Sequence, residues 1–212
     1  MPAPRFVVPH ALAVMALVLA APVGVGCGDS DEDKSAGTAT RTTSAAETAI
    51  AGRLAAAQDA ARAAPNDPDA LKNLARAHVE LAYARGNVTG NTIGVEGEAQ
   101  LREAAAAWER YLARDPGKPD VLLATVMARA FAKTGLDEPR KAIRALRIAA
   151  EHRTPPNGNL YAQLAVAYYG ERRFREGDLA ASRAAKLAPP NERSNLRRSL
   201  RQIRSHVKAQ GA

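Results

Sequence analysis

Residues 158–191 read GNLYAQLAVAYYGERRFREGDLAASRAAKLAPPN. With Gly158 as position 1, Tyr161, Leu164 and Tyr168 fall at 4, 7 and 11, a spacing that puts all three on one side of a helix. Small Ala165 falls at 8. After the polar break Glu171-Arg172-Arg173, Phe174, Gly177, Ala181 and Ala184 fall at 17, 20, 24 and 27, and Pro189 closes the unit at 32. Large side chains at 4, 7 and 11 face a partner helix, and small ones at 8, 20 and 27 let two backbones approach closely. The stretch therefore specifies a helix, a tight turn and a second antiparallel helix.

The same punctuation recurs upstream. Pro65-Asn66-Asp67-Pro68, Asp115 to Pro119 and Thr154 to Gly158 each combine Pro with Asn, Asp or Gly, the residues that stop one helix and cap the next. No strand-like alternation lies between them. The pattern predicts helices over 44–64, 68–85, 98–114, 119–134, 138–152, 159–170, 174–188 and 192–208, the first opening on a capping box of Ser44 and Glu47. Counting from Pro68 puts Leu71, Leu74, Ala75 and His78 at 4, 7, 8 and 11. Ala104, Trp108 and Pro116 then follow as 20, 24 and 32, after about 17 extra residues. A middle unit carries Ala124, Met127, Ala128 and Phe131 before Gly135, then Ala142, Leu146 and Ala149.

These positions resemble the tetratricopeptide repeat, a 34-residue helix–turn–helix unit, over roughly residues 44–190. The resemblance implies an all-α, antiparallel helix-pair solenoid of about three repeats with a C-terminal capping helix, and a protein-binding role. It also implies that positions 2, 5, 6, 9, 12 and 13 of each first helix line a concave face. In the first unit these include Lys72, Asn73, Arg76 and Glu80; in the second, Arg129 and Lys133; in the third, Asn159, Gln163 and Val166. Lys72, Asn73 and Arg76 are similar to the carboxylate clamp of one subset of the family, which grips acidic peptide ends. A mildly basic groove with amide donors suits an acidic extended segment, because Arg grips carboxylates through two parallel bonds.

Composition agrees with helices. The chain has 212 residues, of which 48 are Ala and only nine are aromatic. Ala is the strongest helix former and costs no rotamer entropy, whereas sheets need Val- and Ile-rich runs. One Cys excludes a disulfide framework and a Cys-based zinc cluster.

That Cys stands at a junction. Residues 11–23, ALAVMALVLAAPV, form an uncharged apolar run too short for an ordinary span and long enough for the apolar part of a signal peptide. Val25, Gly26 and Cys27 follow, and the segment resembles a bacterial lipoprotein signal whose Cys receives diacylglycerol. The resemblance implies a removed leader over 1–26, a lipid on Cys27 and an extracytoplasmic protein anchored to a membrane. Residues 27–43 then read as a Ser/Thr/Gly tether with four early acids, Asp29, Asp31, Glu32 and Asp33. As flexible coil such a segment spans roughly 20–25 Å. The body after it is strongly basic, with 28 Lys and Arg against 18 acids over 41–212.

Enzymatic readings find little to stand on. The four His lie apart, with no metal-ligand spacing, and no GxSxG elbow is present. The loop 86–97, GNVTGNTIGVEG, lacks the Gly-Lys-Ser/Thr ending of a phosphate cradle. It reads as an inter-helix loop or as an extension that contacts a partner. The last segment, 191–212, carries a stripe of Leu196, Leu200, Ile203 and Val207 beside a seam of Arg193, Arg197, Arg201, Arg204 and Lys208. A solvated face or contact with anionic lipid or wall polymer accounts for the seam; nucleic acid does not, since aromatic residues are not interleaved with it. The expectation is a non-enzymatic scaffold without cofactor that binds a protein or peptide in a helical groove. The alternative is a structural envelope lipoprotein that meets an anionic polymer or lipid through its basic face.

Overall fold

The computed structural model describes residues 35–85 and 93–210, with side chains from 45 to 84 and from 93 to 210. The leader, Cys27, the acidic part of the tether and residues 86–92 of the long loop lie outside the described residues.

The described chain is all-helical. Its elements are α1 (Ser35–Ala63), α2 (Pro68–Arg85), α3 (Val95–Leu112), α4 (Val121–Ala130), α5 (Pro139–His152), α6 (Gly158–Gly170), α7 (Phe174–Leu187) and α8 (Arg193–Ala209). Consecutive helices pack as pairs, α2 on α3, α4 on α5 and α6 on α7, while α1 lies on α2, α5 bridges to α6, and α8 closes the array against α6 and α7. This is the helix-pair solenoid that the repeat spacing predicts.

The register is visible in burial. Tyr161, Leu164, Ala165 and Tyr168 are all buried, as are Leu71, Ala75 and His78, and Ala124, Met127, Ala128 and Phe131. Trp108, 1% exposed, is the largest side chain of the core and stacks obliquely on Tyr111 with ring centroids 5.4 Å apart. Buried His78 has a polar partner, its Nδ1 lying 2.8 Å from the Gln100 side-chain oxygen. Close approach sets the α6–α7 pair. A Cβ on Gly177 would stand 2.4 Å from the Tyr169 ring, and Ala165 and Ala184 are fully buried. Gly135 serves the α4–α5 turn in the same way, with a Cβ position 2.1 Å from the Ala130 carbonyl.

Three helices differ from the sequence expectation by three residues or more at one end. Helix α1 begins at Ser35 rather than at 44, so Ser44 and Glu47 sit inside a helix and not at its start. No Pro interrupts residues 35–64, and lengthening an existing helix through Ser and Thr costs only tenths of a kcal/mol, about 0.5 per residue. Helix α4 starts at Val121, because the Asp120 carboxylate accepts the Leu123 N–H at 2.7 Å and caps the helix beyond Pro119. It ends at Ala130, where Gly135 and Leu136 turn back to donate to the Ala132 and Ala130 carbonyls. Helix α3 starts at Val95, three residues early, behind an extended Gly94.

Candidate functional site

The first helices of the three pairs, α2, α4 and α6, line two adjoining cavities. The smaller, about 420 Å³, lies between α2 and α4 and is bordered by Arg76, Tyr83, Leu122 and Val126 among others. The larger, about 950 Å³, lies between α4 and α6 over a floor of Ala142 and Leu146 from α5. It lies where the backbones of α4 and α6 make no close approach, whereas those of α2 and α4 do. Val126 and Arg129 border both cavities, so together they form one trough with a shared middle.

The trough is apolar at its base. Tyr83, Leu122, Val126 and Val166 are four of the seven large apolar residues exposed among the described ones, and each borders a cavity. Leu122 is 65% exposed. A monomer rarely leaves such residues together without use for them.

Charged groups stand along the edge. Arg129 lies over the Tyr83 ring, 5.0 Å from its centroid, and makes no hydrogen bond or ion pair among the described residues. Burial raises the Tyr83 pKa above the usual tyrosine value, against the pull of Arg129. Lys133, just past the end of α4 in the α4–α5 turn, makes no ion pair among the described residues. The larger cavity is also bordered by Asp137, held at φ 52° in the same α4–α5 turn, and by Glu171 at the end of α6. The cavity linings therefore carry Arg76, Arg129 and Lys133 against Glu80, Asp137 and Glu171, which is balanced rather than basic. Pairing removes one of each sign and leaves Arg129 and Lys133 against Asp137 and Glu171. Arg76 is committed to Asp120 at 3.2 Å, and Glu80 to Arg53 of α1 at 3.1 Å.

The structure sorts the sequence-derived groove residues into two groups. Arg76, Arg129, Lys133 and Gln163 line the cavities, as does Val166. Lys72 instead donates to Asp69 on its own helix at 2.6 Å, which raises its pKa, and borders neither cavity. Asn73 is exposed outside both. Asn159 is exposed in the first turn of α6, where its N–H donates to the capping Asn157 side chain at 2.8 Å. Lys72, Asn73 and Arg76 thus do not border one cavity together.

Sequence reasoning missed Leu122, Val126 and Tyr83. In the register that placed Arg129 at 9, Leu122 and Val126 occupy 2 and 6, so the signal was present but only polar side chains were taken from it. Tyr83 falls past the last groove position of its helix and carried no such signal.

The seam on α8 is also partly committed. Arg193 donates to the Ala188 carbonyl at 2.9 Å and so satisfies the end of α7, and Arg204 bonds Asp178 at 2.9 Å. Arg197, Arg201 and Lys208 are exposed and make no ion pair among the described residues. No group of His, Cys, Asp and Glu among the described residues could hold a metal, and no described helix is long and apolar enough to cross a membrane. Comparison of the chain with protein-family models, curated proteins and solved structures gives no match.

Proposed function

We propose that this chain is a membrane-anchored, extracytoplasmic scaffold of the tetratricopeptide type, which holds a segment of a partner protein in the trough along α2, α4 and α6. The observation that carries the reading is the coincidence of exposed apolar residues with two connected cavities, with Arg129 at their junction. An apolar side chain of the segment enters the gap between α4 and α6, against Val126, Val166 and Ala167. An acidic side chain meets Arg129 and Lys133, whose donors are the ones left open. Asp137 and Glu171 disfavour an acid placed beside them and so restrict where it can sit. The lipid on Cys27 and the short acidic tether keep this surface near a membrane.

The test is a photo-reactive residue at Val126 or Val166 in the full chain, irradiated in membrane extract, with Arg147 on the outer side of α5 as control. Adducts to one protein are expected from the first two sites and not from the third. They should fade as salt rises and disappear in an Arg129→Glu/Lys133→Glu variant that stays folded. Adduct formation that the double variant leaves undiminished would move the binding surface off the trough. Arg76 is a poor choice for such reversal, because a Glu there would face the Asp120 cap of α4.

A further inference from the structure

The charge of this protein is not spread evenly. Of the excess over 41–212, most falls on the last two helices and their connections, where residues 171–212 hold 11 Lys and Arg against 4 acids. Two of those acids are already neutralised, Glu176 by Arg173 and Asp178 by Arg204. The surface of α7 adds an element that the α8 seam alone lacks. Leu179, 73% exposed, stands on α7 between Arg175, one turn before it, and Lys186, two turns after it. Residues four and seven apart share one side of a helix, so the leucine projects from a strip whose ends are cationic. Both cations are exposed and make no ion pair among the described residues. The Arg204–Asp178 and Arg193–Ala188 bonds join the basic side of α8 to α7, so Arg197, Arg201 and Lys208 continue the same surface.

We propose that this outer face of α7 and α8 docks on a bilayer containing anionic phospholipid. Leu179 enters the headgroup layer, and Arg175, Lys186, Arg197, Arg201 and Lys208 neutralise lipid phosphates around it. A soluble polyanion accounts for the cations but gives the exposed leucine nothing to bury, whereas an interface takes both. The apolar stripe of α8 is not available for insertion, since Leu200 is buried and Leu196 and Ile203 pack on the core. Binding is therefore peripheral and driven mainly by charge, with each cation worth about fivefold in partitioning. The inference does not rest on the trough, which opens along other helices.

The test uses the full chain with Cys27→Ser and Leu179→Cys, carrying an environment-sensitive fluorophore at position 179. The label reads this face alone, however else the chain associates with lipid. With vesicles of phosphatidylcholine and phosphatidylglycerol the emission should shift to the blue, and lipid-borne quenchers should reach the dye. With phosphatidylcholine alone it should not shift. Raising salt should reverse the shift, and Arg197→Gln/Arg201→Gln/Lys208→Gln should weaken it by about a hundredfold in lipid concentration. Arg129→Glu/Lys133→Glu should leave it unchanged, which separates this face from the trough. Equal shifts on neutral and anionic vesicles, or a shift indifferent to salt and to the triple variant, would overturn the proposal. No shift on anionic vesicles together with tight binding of polyphosphate would assign the face to a soluble polyanion instead.

Discussion

Gly177→Ala sets two opposed effects against each other, and the structure decides between them. Gly177 lies inside α7, where exchanging Gly for Ala ordinarily stabilises a helix by about 1 kcal/mol. Here the new methyl would stand 2.4 and 2.5 Å from two carbons of the Tyr169 ring. Ordinary carbon contacts lie at roughly 3.5–4.0 Å, so the ring must recede by about 1 Å. It has little room to do so: Tyr169 is 2% exposed, lies 6.3 Å from the Phe174 centroid and donates to Asp178 at 2.9 Å. Overpacking costs about 1–3 kcal/mol, and loosening the hydrogen bond adds about 1 kcal/mol. The net expectation is destabilisation by about 1–3 kcal/mol, a fall in Tm of roughly 2–12 °C for a chain of this size. Gly52→Ala is the control, since its methyl would meet nothing within 4 Å on the exposed side of α1. It should stabilise by about 0.5–1 kcal/mol. Thermal and urea unfolding of the two variants beside the parent chain measure both signs. If Gly177→Ala gained stability as Gly52→Ala does, the close approach of α6 and α7 would be wrong, and the repeat register with it.

Ala165→Leu, at a fully buried crossing, should cost about 1–3 kcal/mol, whereas Arg197→Ala on the exposed side of α8 should cost under about 0.5 kcal/mol; urea midpoints compare them. Tyr169 has its pKa pushed up to about 12 by burial and then by Asp178, so the folded chain holds the phenolic proton more tightly than the unfolded chain. The stability this confers is whole below pH 10 and is lost as pH rises through about 12, so Tyr169→Phe should flatten that part of the alkaline unfolding profile. Cys27→Ser should release the body from membranes or leave an unprocessed precursor, which fractionation and gel mobility read; an unchanged membrane fraction with normal processing would exclude a lipid on Cys27 as the anchor.

The helix pairs were legible because the features that build them repeat at fixed offsets. Tyr161, Leu164 and Tyr168 share a face by helical geometry, and Gly177 and Ala184 are small because a neighbouring ring or backbone lies against them. Positions along one helix therefore announced contacts between helices. The trough was legible only in outline. Periodicity identified which side of α4 is open, and so reached Arg129 and Lys133. It could not show that α4 and α6 stand apart, which depends on how α5 seats between them. Nor could it show that Lys72 and Arg76 turn to Asp69 and Asp120, since such pairings depend on rotamers and on a helix start two residues later than Pro119 suggests. The exposed Leu179 was invisible for a related reason: on an Ala-rich helix one leucine reads as core until the packing shows which way it points.

The unequal spacing of the three first helices has a mechanical side. At the junction of the first and second pairs, α4 touches both α2 and α3, and Asp120 acts as a rivet: its carboxylate caps α4 and meets Arg76, while its N–H donates to the Tyr111 hydroxyl at 2.9 Å. At the next junction only α5 reaches across to α6. In a linear array, stability passes from unit to unit through such junctions, and these two are carried by different helices. The second leaves α4 and α6 without a close backbone approach, and the larger cavity opens between them. Whatever occupies that cavity adds a second link across a junction that α5 otherwise carries alone.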